Sequence, residues 1–149
     1  MRIPIVDEDP FATLSSSKHS GAEILIADEN PATLEFFSCL LEDSGFTTLT
    51  ADSGESVLQS LNQHIISVIL LGDLMKPPID GLDLIRRLRP YHIPVVVATS
   101  YGADYALLAK MAGAEVIIHK FADPIYLITT IEQALQHRPF PHFPEMRPK

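Results

Sequence analysis

Cysteine is nearly missing from this 149-residue chain. Cys39 stands alone, so no disulfide can form within the chain, which agrees with a reducing compartment. Basic residues are also scarce, 11 Lys and Arg against 19 Asp and Glu, for a net charge of −8. That balance argues against nucleic acid, whose phosphates need clustered Lys and Arg. Apolar runs of about eighteen residues are absent, which excludes a membrane-spanning helix of ordinary length. The opening MRIPIVDEDP has one Arg, then acids and prolines, and no apolar stretch of the signal-peptide kind. A cytoplasmic location is therefore expected. The six histidines show no paired spacing on a helix face, so a zinc site is not expected. No glycine-rich loop follows the first apolar run. That turn is the acidic Asp28-Glu29, which would repel the phosphates of a dinucleotide or flavin.

What is present is enough apolar residue, 46% of the chain, to bury one core. Residues 1–21 show little periodicity, end in a serine-rich stretch and read as a flexible arm. Residues 137–149 carry four prolines among Phe140, Phe143 and Met146 and read as a tail that cannot continue a helix. Between them, residues 22–136 alternate between two patterns. Short apolar runs occur at 23–27, 46–50, 67–71, 93–98 and 115–119. Segments of helical spacing follow each. Asn30-Pro31 suits an N-cap and first position, Leu34, Phe37 and Leu41 share a face, and Gly45 stops the helix. Residues 53–63 follow, with Val57, Leu58 and Leu61 on one face. Asp80 caps a helix carrying Leu82, Ile85 and Leu88. Residues 102–112 place Tyr105, Leu108, Ala109 and Ala112 on one stripe. Asp123-Pro124 opens a last helix with Leu127, Ile128, Ile131 and Leu135 inward.

Five strands and five helices in strict alternation predict an α/β fold, a doubly wound parallel sheet. Three of the strands are apolar throughout, as expected when helices cover both faces. Sites in such sheets form at the carboxyl ends of the strands. Those ends carry Asp28-Glu29, Asp73, Thr99-Ser100 and His119-Lys120. Taken singly, each has an ordinary explanation: helix-entry acids, a turn residue before prolines, a strand-end hydroxyl, a solvated lysine. Taken together, the carboxylates repel one another and a hard divalent cation such as Mg²⁺ relieves them. An ionised Asp73 beside such an ion suits attack on phosphorus, with Lys120 and Thr99 on the phosphoryl oxygens.

The segments ILIADEN, ADSGESVL, DLMKPPIDG, IPVVVATS and AGAEVIIHK occur in this order, with 45 residues between Asp28 and Asp73. In this the chain resembles the receiver domains of two-component response regulators, in the single-domain, chemotaxis-regulator-like form, over about three quarters of its length. The resemblance implies a (βα)5 flavodoxin-like sheet of order 2-1-3-4-5. It implies that Asp73 accepts a phosphoryl group from a phosphohistidine on a histidine kinase or phosphotransfer protein. Asp28, Glu29, Asp73 and the Met75 carbonyl would bind Mg²⁺, and Thr99 and Lys120 would contact the phosphoryl group. The domain itself would catalyse acceptance and later hydrolysis. It would signal to a downstream protein, with a possible homodimer, through the face of the fourth helix, fifth strand and fifth helix. A degenerate receiver, binding partners without phosphoryl transfer, is the alternative. The segment at 5–14, IVDEDPFATL, mimics LIADENPATL at 25–34, but its acids lie too far before Asp73 for the family pattern.

Three positions depart from that pattern. Gly72 replaces a larger residue and is expected to weaken the strand end and let the backbone bend. Ile117 stands where many members have a switching Tyr or Phe. Phe121 stands in place of a proline, which predicts looser geometry after Lys120. Met75 and Tyr101, two residues beyond Asp73 and Thr99, are bulky. They are expected to obstruct the water that would hydrolyse the phosphoryl group.

Overall fold

The computed structural model describes residues 23–136. The expectations for the arm at 1–21, the mimic segment at 5–14 and the tail at 137–149 lie outside the described residues. Within them, three largely apolar runs become the centre of one parallel sheet: β1 Glu23–Ala27, β3 Val68–Leu71 and β4 Val95–Thr99. Their Val, Ile and Leu side chains suit a strand buried on both faces. The less apolar β2 (Thr47–Ala51) and β5 (Val116–His119) take the two edges. The order is β2-β1-β3-β4-β5, the 2-1-3-4-5 arrangement that the resemblance implied.

Each helix begins where a short polar side chain or proline permits it. Asn30 caps α1 (Pro31–Asp43) by accepting from the Ala32 amide. Ser53 and Ser56 close a reciprocal cap on α2 (Gly54–Leu61), and Asp80 caps α3 (Gly81–Leu88) through the Asp83 amide. A short 3₁₀ turn, Arg89–Tyr91, precedes β4. The remaining helices are α4 (Ala103–Ala112) and α5 (Pro124–Gln136).

Alternate residues of the central strands feed two apolar layers. Ile24, Ile26, Val68, Leu70, Val96 and Ala98 meet α1 and α5 through Phe37, Leu41, Leu127 and Ile131. Leu25, Ile69, Leu71, Val95 and Val97 meet α2, α3 and α4 through Val57, Leu61, Leu84, Ile85 and Ala109. Each fully buried Val, Leu or Ile side chain among them stabilises the fold by about 1.5–3 kcal/mol relative to exposure.

Two expectations need correction. The second helix stops at Leu61, with Asn62 as its C-cap, rather than running to Gln63. Leu108 is about half exposed, although its spacing puts it with Tyr105, Ala109 and Ala112. The reason is position: α4 packs beside the edge strand β5, and no described element lies beyond to cover its outer flank.

Candidate functional site

Register brings the strand ends level. Ala27 pairs with Leu71, Leu71 with Val97, and Thr99 with His119, so residues 28, 73, 99 and 120 leave the sheet along one edge. Backbone pairing continues past the strands: the Gly72 amide donates to the Ala27 carbonyl, and the Glu29 amide to that of Asp73. The four positions read from the sequence are thus fastened to the sheet before any side chain acts.

Asp73 is bonded at both carboxylate oxygens. Thr99 Oγ1 donates to Oδ1 at 2.7 Å. Lys120 Nζ at 3.1 Å and Ser100, through Oγ at 2.9 Å and its amide at 3.3 Å, donate to Oδ2. Burial pushes the Asp73 carboxyl pKa up. The bonds from Thr99, Lys120 and Ser100 and the Lys120 charge more than offset it, so it lies below its ordinary value. Asp73 is therefore ionised at neutral pH.

Asp28 is buried and shares the same cation, with Lys120 Nζ 2.7 Å from its Oδ2. That oxygen also accepts from the Asp73 amide at 2.9 Å, and Oδ1 accepts from the Asn30 amide at 2.8 Å. Burial lowers the Lys120 pKa, but the bonds and charges of Asp28 and Asp73 raise it further, for a net upward shift. Glu29 turns the other way, its Oε2 accepting from the Met75 and Lys76 amides at 2.6 Å each.

Asp28, Glu29 and Asp73 carry the hard oxygen donors that Mg²⁺ takes, although the Glu29 carboxylate is turned to the Met75 and Lys76 amides. Oxygens of all three carboxylates accept from protein N–H and O–H groups. Among the described residues, no three His, Cys, Asp or Glu side chains are gathered in metal-holding geometry. Met75 meets the site through its amide rather than through any bond to its carbonyl.

Sequence reasoning noted Ser100 only as a strand-end hydroxyl. The structure places it on the Asp73 carboxylate beside Thr99. Gly72 also has a different reason from the one expected. A Cβ there would overlap Asp28 Oδ2, with Asp28 Cγ 2.9 Å away. The missing side chain is where the Asp28 carboxylate sits. Phe121, which in place of a proline predicts looser geometry after Lys120, makes a local bond there. Its amide donates to His119 Nδ1 at 3.1 Å, a bond that proline lacks the N–H to make.

This arrangement belongs to a known class. The chain is a member of the response regulator receiver domain family, whose model matches residues 24–132. It is 30% identical over 115 residues to the response regulator GtcR of Aneurinibacillus migulanus, covering 76% of this chain and 47% of that protein. It is 28% identical to an uncharacterized 14.6 kDa protein of Leptolyngbya boryana, over 74% of this chain and 88% of that one. A solved receiver domain protein from Clostridium thermocellum superposes with a TM-score of 0.68 at 29% identity, covering 77% of this chain and 94% of its own. The chain spans about half or less of the length of the first curated relatives it matches.

Proposed function

We propose that the domain is a phosphorylation-switched receiver in which Asp73 is the phosphoacceptor, signalling by protein contact in the cytoplasm. The observation that supports this most is the convergence of Thr99, Ser100 and Lys120 on a single ionised carboxylate. A carboxylate oxygen of Asp73 attacks phosphorus. The P–N bond to the donor histidine breaks, and the imidazole keeps the electron pair and takes up a proton. Lys120 and Thr99, already placed on the carboxylate, then contact phosphoryl oxygens as negative charge gathers there. Asp28, Glu29, Asp73 and the Met75 carbonyl would hold Mg²⁺. When bound, that ion supplies the positive charge that offsets the incoming phosphoryl oxygens.

Two surfaces support protein partners. An apolar groove of about 410 Å³ lined by Phe36, Phe37, Phe121 and Pro124 abuts Lys120, and gives a phosphohistidine-bearing donor a place to rest beside Asp73. Exposed Leu107, Leu108 and Met111 on α4 and Tyr126 on α5 offer a downstream target, or a second copy, an apolar face.

Acetyl phosphate and Mg²⁺ are expected to add the mass of one phosphoryl group, with no addition in Asp73→Asn, as read by intact mass spectrometry. No gain from any donor, with partner binding retained, favours the phosphorylation-independent binding module. The phosphoryl group is also expected to be long-lived. Met75 and Tyr101, two residues beyond Asp73 and Thr99, are bulky and exposed, and they are expected to obstruct an in-line water. Decay within seconds in purified protein with Mg²⁺ would contradict this.

A further inference from the structure

Tyr105 is out of keeping with its surroundings. Among the described residues, its hydroxyl is the buried side-chain polar atom with no hydrogen-bond partner. Such a donor has lost water and gained nothing in return, so its place in the fold calls for a reason.

Its position supplies one. Two routes lead away from Asp73, and both arrive at Tyr105. The first runs through Thr99, whose Oγ1 donates to Asp73 and accepts from the Tyr101 amide at 3.0 Å. The Tyr101 ring then lies 5.6 Å from the Tyr105 ring, tilted by 41°. The second runs along the β3–α3 loop from Asp73 to Gly81. A Cβ at Gly81 would stand 2.8 Å from the Tyr105 hydroxyl and 3.4 Å from the Leu74 carbonyl. The phenol therefore reaches from α4 onto the far end of the loop that begins at Asp73, and Gly81 leaves room for it. On β5, Ile117 packs against the same apolar layer as Tyr105, but it is aliphatic and has no hydroxyl to offer.

We propose that Tyr105 is the positioning residue through which a change at Asp73 reaches α4: its hydroxyl, unpartnered in the form described here, gains an acceptor on the β3–α3 loop once Asp73 is phosphorylated. This rests on the acceptor role of Asp73 proposed above. Acceptors are at hand. The Leu74 carbonyl takes the Gly81 amide at 2.6 Å and keeps a second lone pair, and the Asp80 carboxylate lies at the same loop end. Burial, then the charges of Asp73 and Asp80 and the neighbouring Tyr101, push the hydroxyl pKa up to about 12, so it remains a donor at neutral pH. A small shift of the loop that brings an acceptor to the hydroxyl ties the loop to α4, which joins the two elements.

Tyr105→Phe tests this, because it keeps the ring and its contact with Tyr101 and removes only the donor. The thermal midpoint of the unmodified protein is expected to rise by about 4 °C, since the orphaned group is gone. Affinity for beryllofluoride with Mg²⁺, a phosphoryl mimic titrated by calorimetry, is expected to fall about tenfold, since the modified form loses a bond. A higher midpoint with unchanged beryllofluoride affinity would mean that the hydroxyl is orphaned in both forms, and would overturn the proposal. So would no change in either quantity. Failure of the unsubstituted protein to bind beryllofluoride or to take phosphate from acetyl phosphate would instead remove the acceptor reading, and this proposal with it.

Discussion

Lys120→Met is expected to destabilise the fold by about 3 kcal/mol at neutral pH, measured by urea denaturation. The ammonium lies between two carboxylates, 2.7 Å from Asp28 and 3.1 Å from Asp73, and all three side chains are largely buried. Methionine fills much of the space but leaves two facing negative charges with no cation. Removing one member of a buried ion cluster costs more than never having built it, because the partners stay desolvated. The pH profile carries a second signature. The folded-state pKa of Lys120 is raised above 10.5, so its contribution is fully present below that value and fades as pH climbs through the folded pKa. Asp73 is lowered below 3.8, so its contribution is present above that value and fades as pH falls through the folded pKa. In Lys120→Met the alkaline loss disappears. The acid loss shrinks, because two of the causes that lower Asp73 are gone and its folded pKa moves back toward the unfolded value. A variant within about 0.5 kcal/mol of the parent, with both limbs in place, would show that the cluster is solvated and weak.

Gly72→Ala is expected to be comparably severe, at about 3 kcal/mol. The added methyl would occupy the position of Asp28 Oδ2. A free carboxylate would swing aside at little cost. Asp28 is 1% exposed and held at both oxygens, by Asn30, Asp73 and Lys120, so moving it breaks three bonds at once. Both substitutions act through Asp28, so the double variant is expected to lose clearly less than the sum of the two. Strict additivity in the double-mutant cycle would disprove the shared mechanism. An alanine variant as stable as the parent would return Gly72 to the role of a simple backbone hinge.

Much of the architecture was legible because it depends on local pattern. The apolar runs of β1, β3 and β4 announce central strands, since a strand covered on both faces reads as a near-continuous apolar run. Asn30, Ser53 and Asp80 mark helix starts because a short side-chain acceptor reaches its own backbone two or three residues on. The residues at the carboxyl edge were legible as a set because parallel strands deliver their ends to one side. Leu108 was misplaced because periodicity says which residues share a helix face, not whether anything lies opposite.

Gly72, Ser100 and Tyr105 were illegible for a related reason. Their neighbours are distant in sequence, and each acts through one contact rather than a repeated pattern. The chain by itself determined the alternating fold, its central strands and the chemistry gathered at their ends, since these follow from spacing of a few residues. Only the tertiary structure decided which carboxylate Lys120 approaches most closely, what the gap at Gly72 holds and that the Tyr105 hydroxyl goes unpaired. Those are matters of tenths of an ångström between segments that the sequence sets tens of residues apart.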